Sequence, residues 1–129
     1  LRYGTALLRL GADALVPVPV HPSRRRQRGF NQAEIFACRI GARLGIPVRT
    51  ELLVRSKKTA PQKQLNPKER LHNLEEAFTA GEVPEGVRRV ILVDDIYTTG
   101  STIEACTRAL LRAGVKNVYF IAICIGRGQ

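Results

Sequence analysis

The tightest constraint on this chain is the stretch from Val90 to Thr102, which reads Val-Ile-Leu-Val-Asp-Asp-Ile-Tyr-Thr-Thr-Gly-Ser-Thr. An apolar run stops at two adjacent carboxylates, a hydroxyl-rich turn follows, and a helical pattern then begins. An unbroken apolar run suits a strand covered on both faces. Asp94 and Asp95 then fall at its carboxyl end, where open parallel sheets bind their ligands. The carboxylates accept hydrogen bonds from hydroxyls or sit near a metal ion. The turn and the helix start offer backbone N–H groups to an anion. A ligand that satisfies both ends is a sugar phosphate.

The rest of the chain alternates strand and helix patterns. Leu15 to Val20 is apolar and β-branched, and Pro17 and Pro19 place it at a sheet edge or a strand end. Asn31 caps a helix running to about Leu44, with Ala33, Phe36, Ile40 and Leu44 on one face and Gly45 as its stop. Glu51 to Arg55 reads as a second strand. Ser56 to Leu65 is polar and loop-like. Asn66-Pro67-Lys68-Glu69 has the cap, first-turn proline and third-position acid of a short helix ending near Leu74. Ala77 to Thr79 reads as a small strand, Gly81 to Gly86 as a turn and Arg89 to Val93 as the clearest strand. A helix from Ser101 to Ala113 puts Ile103, Cys106 and Leu110 on one face before Gly114, and Asn117 to Ile125 is the last strand. This order predicts an α/β domain over residues 1–129, a mostly parallel twisted sheet flanked by helices with right-handed crossovers.

Charge and cysteine usage narrow the setting. The net charge is +10, from 21 Lys and Arg against 11 Asp and Glu, which favours anionic partners. Much of the surplus sits in Arg24, Arg25, Arg26 and Arg28 and around Lys57, Lys58, Lys63, Lys68 and Arg70. Cys38, Cys106 and Cys124 form no Cys-x-x-Cys pair, so all three are expected as buried small hydrophobes in a reducing, cytoplasmic compartment. No apolar stretch approaches the ~18 residues needed to span a bilayer. Trp and Met are absent, so Val, Ile, Leu and Ala must fill the core. The chain starts at Leu1 inside a helical pattern and is expected to be a piece of a longer protein.

Two phosphate loops are excluded. No Gly-x-x-x-x-Gly-Lys-Ser/Thr is present, and no Gly-x-Gly-x-x-Gly follows a strand. Gly100 instead permits close approach of the backbone to a ligand. Thr98, Thr99, Ser101 and Thr102 add hydroxyls, of which Ser101 or Thr99 is expected to cap the helix.

The Val90–Thr102 segment resembles the phosphoribosyl-pyrophosphate (PRPP) motif of type I phosphoribosyltransferases. Val16-Pro17-Val18-Pro19-Val20-His21-Pro22, then Arg28-Gly29-Phe30-Asn31-Gln32-Ala33, resembles the ComF competence-protein family. So do Thr59, Gln62, Leu65, Arg70, Asn73, Ala77 and Phe78 in their order and spacing. The resemblance implies a type I phosphoribosyltransferase-like fold. It implies that Asp94 and Asp95 hold the ribose hydroxyls, and that Thr98, Thr99, Gly100, Ser101 and Thr102 hold the 5′-phosphate. Mg²⁺ is implied too, bound mainly through pyrophosphate and ribose oxygens near Asp94 and Asp95, with little direct protein ligation. His21 to Gly29 takes the place of the pyrophosphate loop, with Arg28, Gly29 and His21 as its candidate residues. Ser56 to Arg70 matches a lid, with Lys57, Lys58 and Arg70 facing the departing pyrophosphate. The N-terminal four-cysteine zinc module of ComF proteins is not in this sequence.

Two functions follow from the resemblance. One is transfer of phosphoribose from PRPP to an amine-type acceptor, with release of pyrophosphate. The other is a non-catalytic module of DNA uptake in natural competence that binds single-stranded DNA or partner proteins of the competence machinery. The basic balance suits DNA. Aromatics for base stacking are few, and most of Tyr3, Phe30, Phe36, Phe78, Tyr97, Tyr119 and Phe120 are expected in the core.

Overall fold

The apolar run becomes strand β4, Arg89–Tyr97, and its neighbours account for its composition. The computed structural model describes residues 9–20, 31–55, 66–69, 76–97 and 100–125. Strand β1, Ala14–Pro17, pairs with one side of β4, and β5, Asn117–Ile125, with the other, both parallel. Helix α1, Gln32–Leu44, follows β1, and helix α2, Ser101–Arg112, joins β4 to β5. Successive β4 side chains go to opposite faces. Val90 and Leu92 enter a core with Ile103, Cys106 and Leu110 of α2. Ile91 and Val93 enter a second core with Ala37 and Ile40 of α1. All four β4 residues are fully buried, so neither face leaves room for a polar residue.

Helix α1 starts and stops as expected. Asn31 has extended backbone and its Oδ1 accepts from the Ala33 N–H at 3.0 Å. Gly45 at φ 71° closes the end with its N–H on the Gly41 carbonyl at 2.8 Å, a backbone conformation that β-carbons disfavour. The buried stripe is Ala33, Ala37, Ile40 and Gly41, with Phe36 and Leu44 only partly covered. The stripe is turned from the expected one because the chain doubles back against Gly41. A β-carbon there would meet the Ile46 carbonyl oxygen at 2.6 Å.

The middle segment departs from expectation. The anticipated strand over Glu51 to Arg55 is a 3-10 turn, Thr50–Leu52, followed by strand β2, Leu53–Arg55. Consecutive Leu52 and Leu53 are both buried, which a strand with one face in solvent, as exposed Val54 shows for β2, cannot arrange. β2 does not join the parallel sheet. It pairs antiparallel with β3, Phe78–Ala80, and the pair packs against α2. β3 lies one residue later than the expected Ala77 to Thr79. Residues 67–69 are helical, and Asn66 Oδ1 accepts from the Glu69 N–H at 2.7 Å, the anticipated cap. The expected end of that helix, near Leu74, lies outside the described residues.

At the amino edge of the sheet, one carboxylate ties β1 to β4. Asp13 Oδ2 accepts from the Arg88 N–H at 2.8 Å and the Arg89 N–H at 3.0 Å. The Asp13 N–H returns a bond to the Arg89 carbonyl at 2.7 Å. The amide donors, Arg89 first, hold the Asp13 carboxyl below its usual range. Among the described residues, no helix is long and apolar enough to cross a membrane.

The cysteines and aromatics need two corrections. Cys106 is buried, but Cys38 is exposed, on the side of α1 away from its core. Tyr119 and Phe120 of β5 are 36% and 46% exposed instead of in the core, β5 being an edge strand among the described residues. Phe78 is buried as expected.

Candidate functional site

The site is created by the unequal lengths of β1 and β4. The β1 ladder ends at Pro17 against Val93, with one more bond from the Val18 N–H to the Val93 carbonyl at 2.8 Å. Pro17 and Pro19 hold φ at about −65°, less extended than a parallel strand prefers. β4 nevertheless continues to Tyr97, beyond the expected end at Val93, because β5 keeps pairing it: Asp94 faces Ala122, Ile96 faces Cys124 and Tyr97 faces Ile125. Asp94 and Asp95 therefore lie within a strand, on the part of it that has outrun β1.

The register through Asp94 is continuous, so alternation fixes the faces. Asp94 continues the Val90–Leu92 row toward α2. Asp95 continues the Ile91–Val93 row toward α1. Both are half-buried. Asp94 Oδ1 accepts from the Asp95 N–H at 2.8 Å. The pair thus straddles the sheet, and a ligand contacting both carboxylates must lie across the strand. Cys106 of α2 belongs to the same core as Val90 and Leu92, the row that Asp94 continues. Burial pushes the Cys106 thiol up strongly, the Asp94 charge adds to the effect, and Arg55 opposes it.

Helix α2 begins at the same edge. Its N-cap is Gly100, at φ 82° and ψ −5°, with no side-chain cap bond. The expected Ser101 cap is therefore corrected: Ser101 is the first helical residue, and the left-handed turn needed before it suits only the glycine. Ser101 and Thr102 stand half-buried in the first turn. The amides of a first turn have no acceptor within the helix, and the helix end is partially positive. An anion is favoured at this end and hydroxyl donors are favoured at the carboxylates, within one sheet edge.

Thr98, Thr99, His21, Arg28, Gly29, Lys57, Lys58 and Arg70 lie outside the described residues. The flanks of residues 21–30 are described and are tied together. Asn31, only 6% exposed, donates from Nδ2 to the Val18 carbonyl at 3.2 Å while its Oδ1 caps α1. A basic segment thus leaves from the end of β1 and returns beside it. The cap pattern pointed to Asn31 but not to this second bond.

Arg55 was not picked out in the sequence. It ends β2 opposite Phe78, with its guanidinium carbon 5.2 Å from the ring centroid. Nothing local in the sequence signals this pair, which depends on strand register. A cavity of about 330 Å³ lies between β3 and the C-terminal half of α2, lined by Phe78, Ala80, Ala109 and Arg112, and neither carboxylate of the acidic pair lines it. Among the described residues, no group of three or more His, Cys, Asp or Glu could hold a metal ion. Two carboxylates offer hard oxygen donors, which suits a magnesium ion that keeps water and substrate oxygens as its other ligands.

The comparisons with known proteins agree with this architecture. The phosphoribosyl transferase domain family matches residues 29–129. Competence protein F of Haemophilus influenzae is 37% identical over 110 residues, which cover 82% of this chain and 47% of that protein. DNA utilization protein YhgH of Escherichia coli (strain K12) is 35% identical over 112 residues, 87% of this chain and 49% of that protein. Competence protein ComFC of Bacillus subtilis (strain 168) is 36% identical over 103 residues, 78% of this chain and 39% of that protein. The chain spans about half the length of these relatives or less. No solved structure matches the chain. A parallel sheet flanked by helices, an acidic pair before a Gly-Ser-Thr helix start and these matches together show that the chain belongs to the phosphoribosyl transferase domain family, on the side of it occupied by the ComF competence proteins.

Proposed function

We propose that this chain is a phosphoribosyltransferase-fold module of DNA uptake and use, and that its sheet edge binds PRPP or a closely related sugar phosphate. The observation that carries the ligand reading is the placement of Asp94 and Asp95 beside the start of α2 on one edge. Asp94 and Asp95 accept hydrogen bonds from ribose hydroxyls. The Gly100 turn and the first amides of α2 receive the 5′-phosphate, with the hydroxyls of Thr98, Thr99, Ser101 and Thr102 as further donors. Arg28, Gly29 and His21 take the pyrophosphate end, and Lys57, Lys58 and Arg70 approach it from the lid segment. Mg²⁺ fits beside the two carboxylates and supplies charge neutralisation on the diphosphate when bound. The names of the relatives, competence proteins and DNA utilization proteins, support the DNA role.

Calorimetric titration of PRPP with MgCl₂ tests the site. Saturable, magnesium-dependent binding is expected, and Asp94→Asn with Asp95→Asn is expected to abolish it. Unchanged affinity in that double variant overturns the assignment.

A catalytic reading stands beside this one because the family is named for transfer. In it an amine-type acceptor attacks C1 of the bound ribose, the bond from C1 to the pyrophosphate oxygen breaks, and pyrophosphate leaves with the bonding pair. The residues named above contribute position and electrostatics. Pyrophosphate release in a screen of amine acceptors supports it. PRPP binding without release by any acceptor leaves the binding module as the function.

A further inference from the structure

Asn31 is the one buried polar residue among the described residues, and both ends of its side chain are used. Its Oδ1 caps α1 through the Ala33 N–H, and its Nδ2 donates to the Val18 carbonyl at 3.2 Å. That carbonyl is where the β1–β4 ladder changes partner. Leu15 shows how a parallel ladder is wired. Its N–H goes to the Pro47 carbonyl and its carbonyl takes the Arg49 N–H, one residue to either side of its bridge partner Val48. Val18 stands one step beyond the Pro17–Val93 pair, level with Asp94. Its N–H follows the rule and goes to the Val93 carbonyl at 2.8 Å. By the same rule its carbonyl would take the Asp95 N–H. It takes Asn31 instead, and the Asp95 N–H turns to Asp94 Oδ1 at 2.8 Å.

This exchange of donors has two consequences. β1 parts from β4 at the acidic pair, and the Asp94 carboxylate gains a charge-assisted bond from the next amide, which favours one orientation of its side chain. Val18 is only 5% exposed, and a buried carbonyl needs a donor. Without the Asn31 amide, the ladder rule offers the Asp95 N–H. Taking it would close the ladder by one step and withdraw that N–H from Asp94. A carboxylate that must meet a hydroxyl within a few tenths of an ångström depends on such supporting bonds.

Resting on the sugar-phosphate reading above, we propose that Asn31 is a positioning residue of this site: by occupying the Val18 carbonyl, it leaves the Asp95 N–H to hold Asp94 for the sugar hydroxyls. The test separates sugar from phosphate, with ribose 5-phosphate and inorganic phosphate as separate calorimetric probes. Asn31→Ser keeps an oxygen for the α1 cap but is too short to reach Val18. It is expected to weaken ribose 5-phosphate about tenfold and to leave inorganic phosphate within about twofold of wild type. Asn31→Ala loses the cap as well. It is expected to melt below Asn31→Ser yet to show the same loss of ribose 5-phosphate, so that affinity follows the Val18 bond and not stability. The proposal is overturned by ribose 5-phosphate affinity within twofold of wild type in Asn31→Ser. It is also overturned by equal loss of both probes, or by a loss that deepens from Asn31→Ser to Asn31→Ala in step with the melting midpoint, the marks of a structural role. In each of these outcomes the sugar-phosphate reading stands if wild-type protein binds ribose 5-phosphate more tightly than inorganic phosphate. Wild-type protein that shows no such preference removes that reading and this inference with it.

Discussion

Asp13 and Cys106 show how single side chains set measurable properties at opposite ends of the sheet. Asp13 accepts two backbone N–H bonds where β4 begins, and these donors, Arg89 before Arg88, favour its ionised form. Its folded pKa lies below the unfolded value, so its stabilisation is present above about pH 4 and is lost as pH falls through the folded pKa. Asp13→Asn is expected to cost about 1 kcal/mol near pH 7, the low end for bonds to a charged acceptor because the group is partly exposed. Urea denaturation at pH 7 and pH 3 checks the sign: the gap between variant and wild type shrinks at pH 3. Cys106 behaves oppositely. Burial first, and the Asp94 charge second, keep its thiol protonated. Native protein treated with iodoacetamide near pH 8 is expected to be modified at exposed Cys38 and protected at Cys106, and peptide mass mapping reads the two sites separately. Rapid native labelling of Cys106 would contradict its buried position.

Among the elements, α1 and β4 were the most legible in the sequence and β2 the least. Helix α1 announces itself through local chemistry: an Asn cap, a 3-and-4 apolar spacing and a glycine stop. β4 announces itself because both faces are buried, so no polar residue interrupts it before Asp94. Its extension to Tyr97 was not legible, since it depends on β5, a partner supplied from the other side of α2. The same cause hid the separate β2–β3 sheet and the Arg55–Phe78 contact, both matters of register between distant segments. Hydroxyl side chains near a helix start look like caps in the sequence, whereas the chain enters α2 through the left-handed turn of Gly100. Asn31 joins two elements at once, and its removal deletes both bonds. Asn31→Ala is expected to lose about 1–3 kcal/mol, the cap contributing about 1 and the bond from its side-chain amide to the Val18 carbonyl the rest. Urea unfolding should show a lower midpoint with an unchanged slope. A midpoint equal to wild type would mean that neither bond contributes.

At the scale of the whole molecule, charge is distributed unevenly along the chain. Residues 21–30 hold four arginines and residues 56–65 three lysines, with no acidic residue in either segment. These seven cations supply most of the net charge of +10. The flanks of the first segment, Val18 and Asn31, lie where β4 outruns β1, and the residue before the second, Arg55, stands over Phe78, which shares a core with Val18 and Leu92. Under the proposed function both basic segments serve the diphosphate, so a diphosphate and a nucleic-acid backbone would draw on overlapping cations. This overlap gives the DNA reading a specific consequence. Single strands bound through Lys and Arg lose affinity with salt at a log–log slope of about 0.7 per neutralised phosphate. Replacing Arg24, Arg25 and Arg26 with Ala removes up to three such contacts, so the slope for a labelled oligothymidylate is expected to fall by about 2. Fluorescence anisotropy across a salt series measures it, and the loss should be nearly uniform for oligonucleotides of different sequence, because phosphate contacts carry no base information. PRPP with MgCl₂ should compete with the oligonucleotide if Arg28 and the lid lysines serve both ligands. A slope unchanged by the triple substitution, with wild-type binding intact, would take these arginines out of the DNA contact and return residues 21–30 to the sugar phosphate alone.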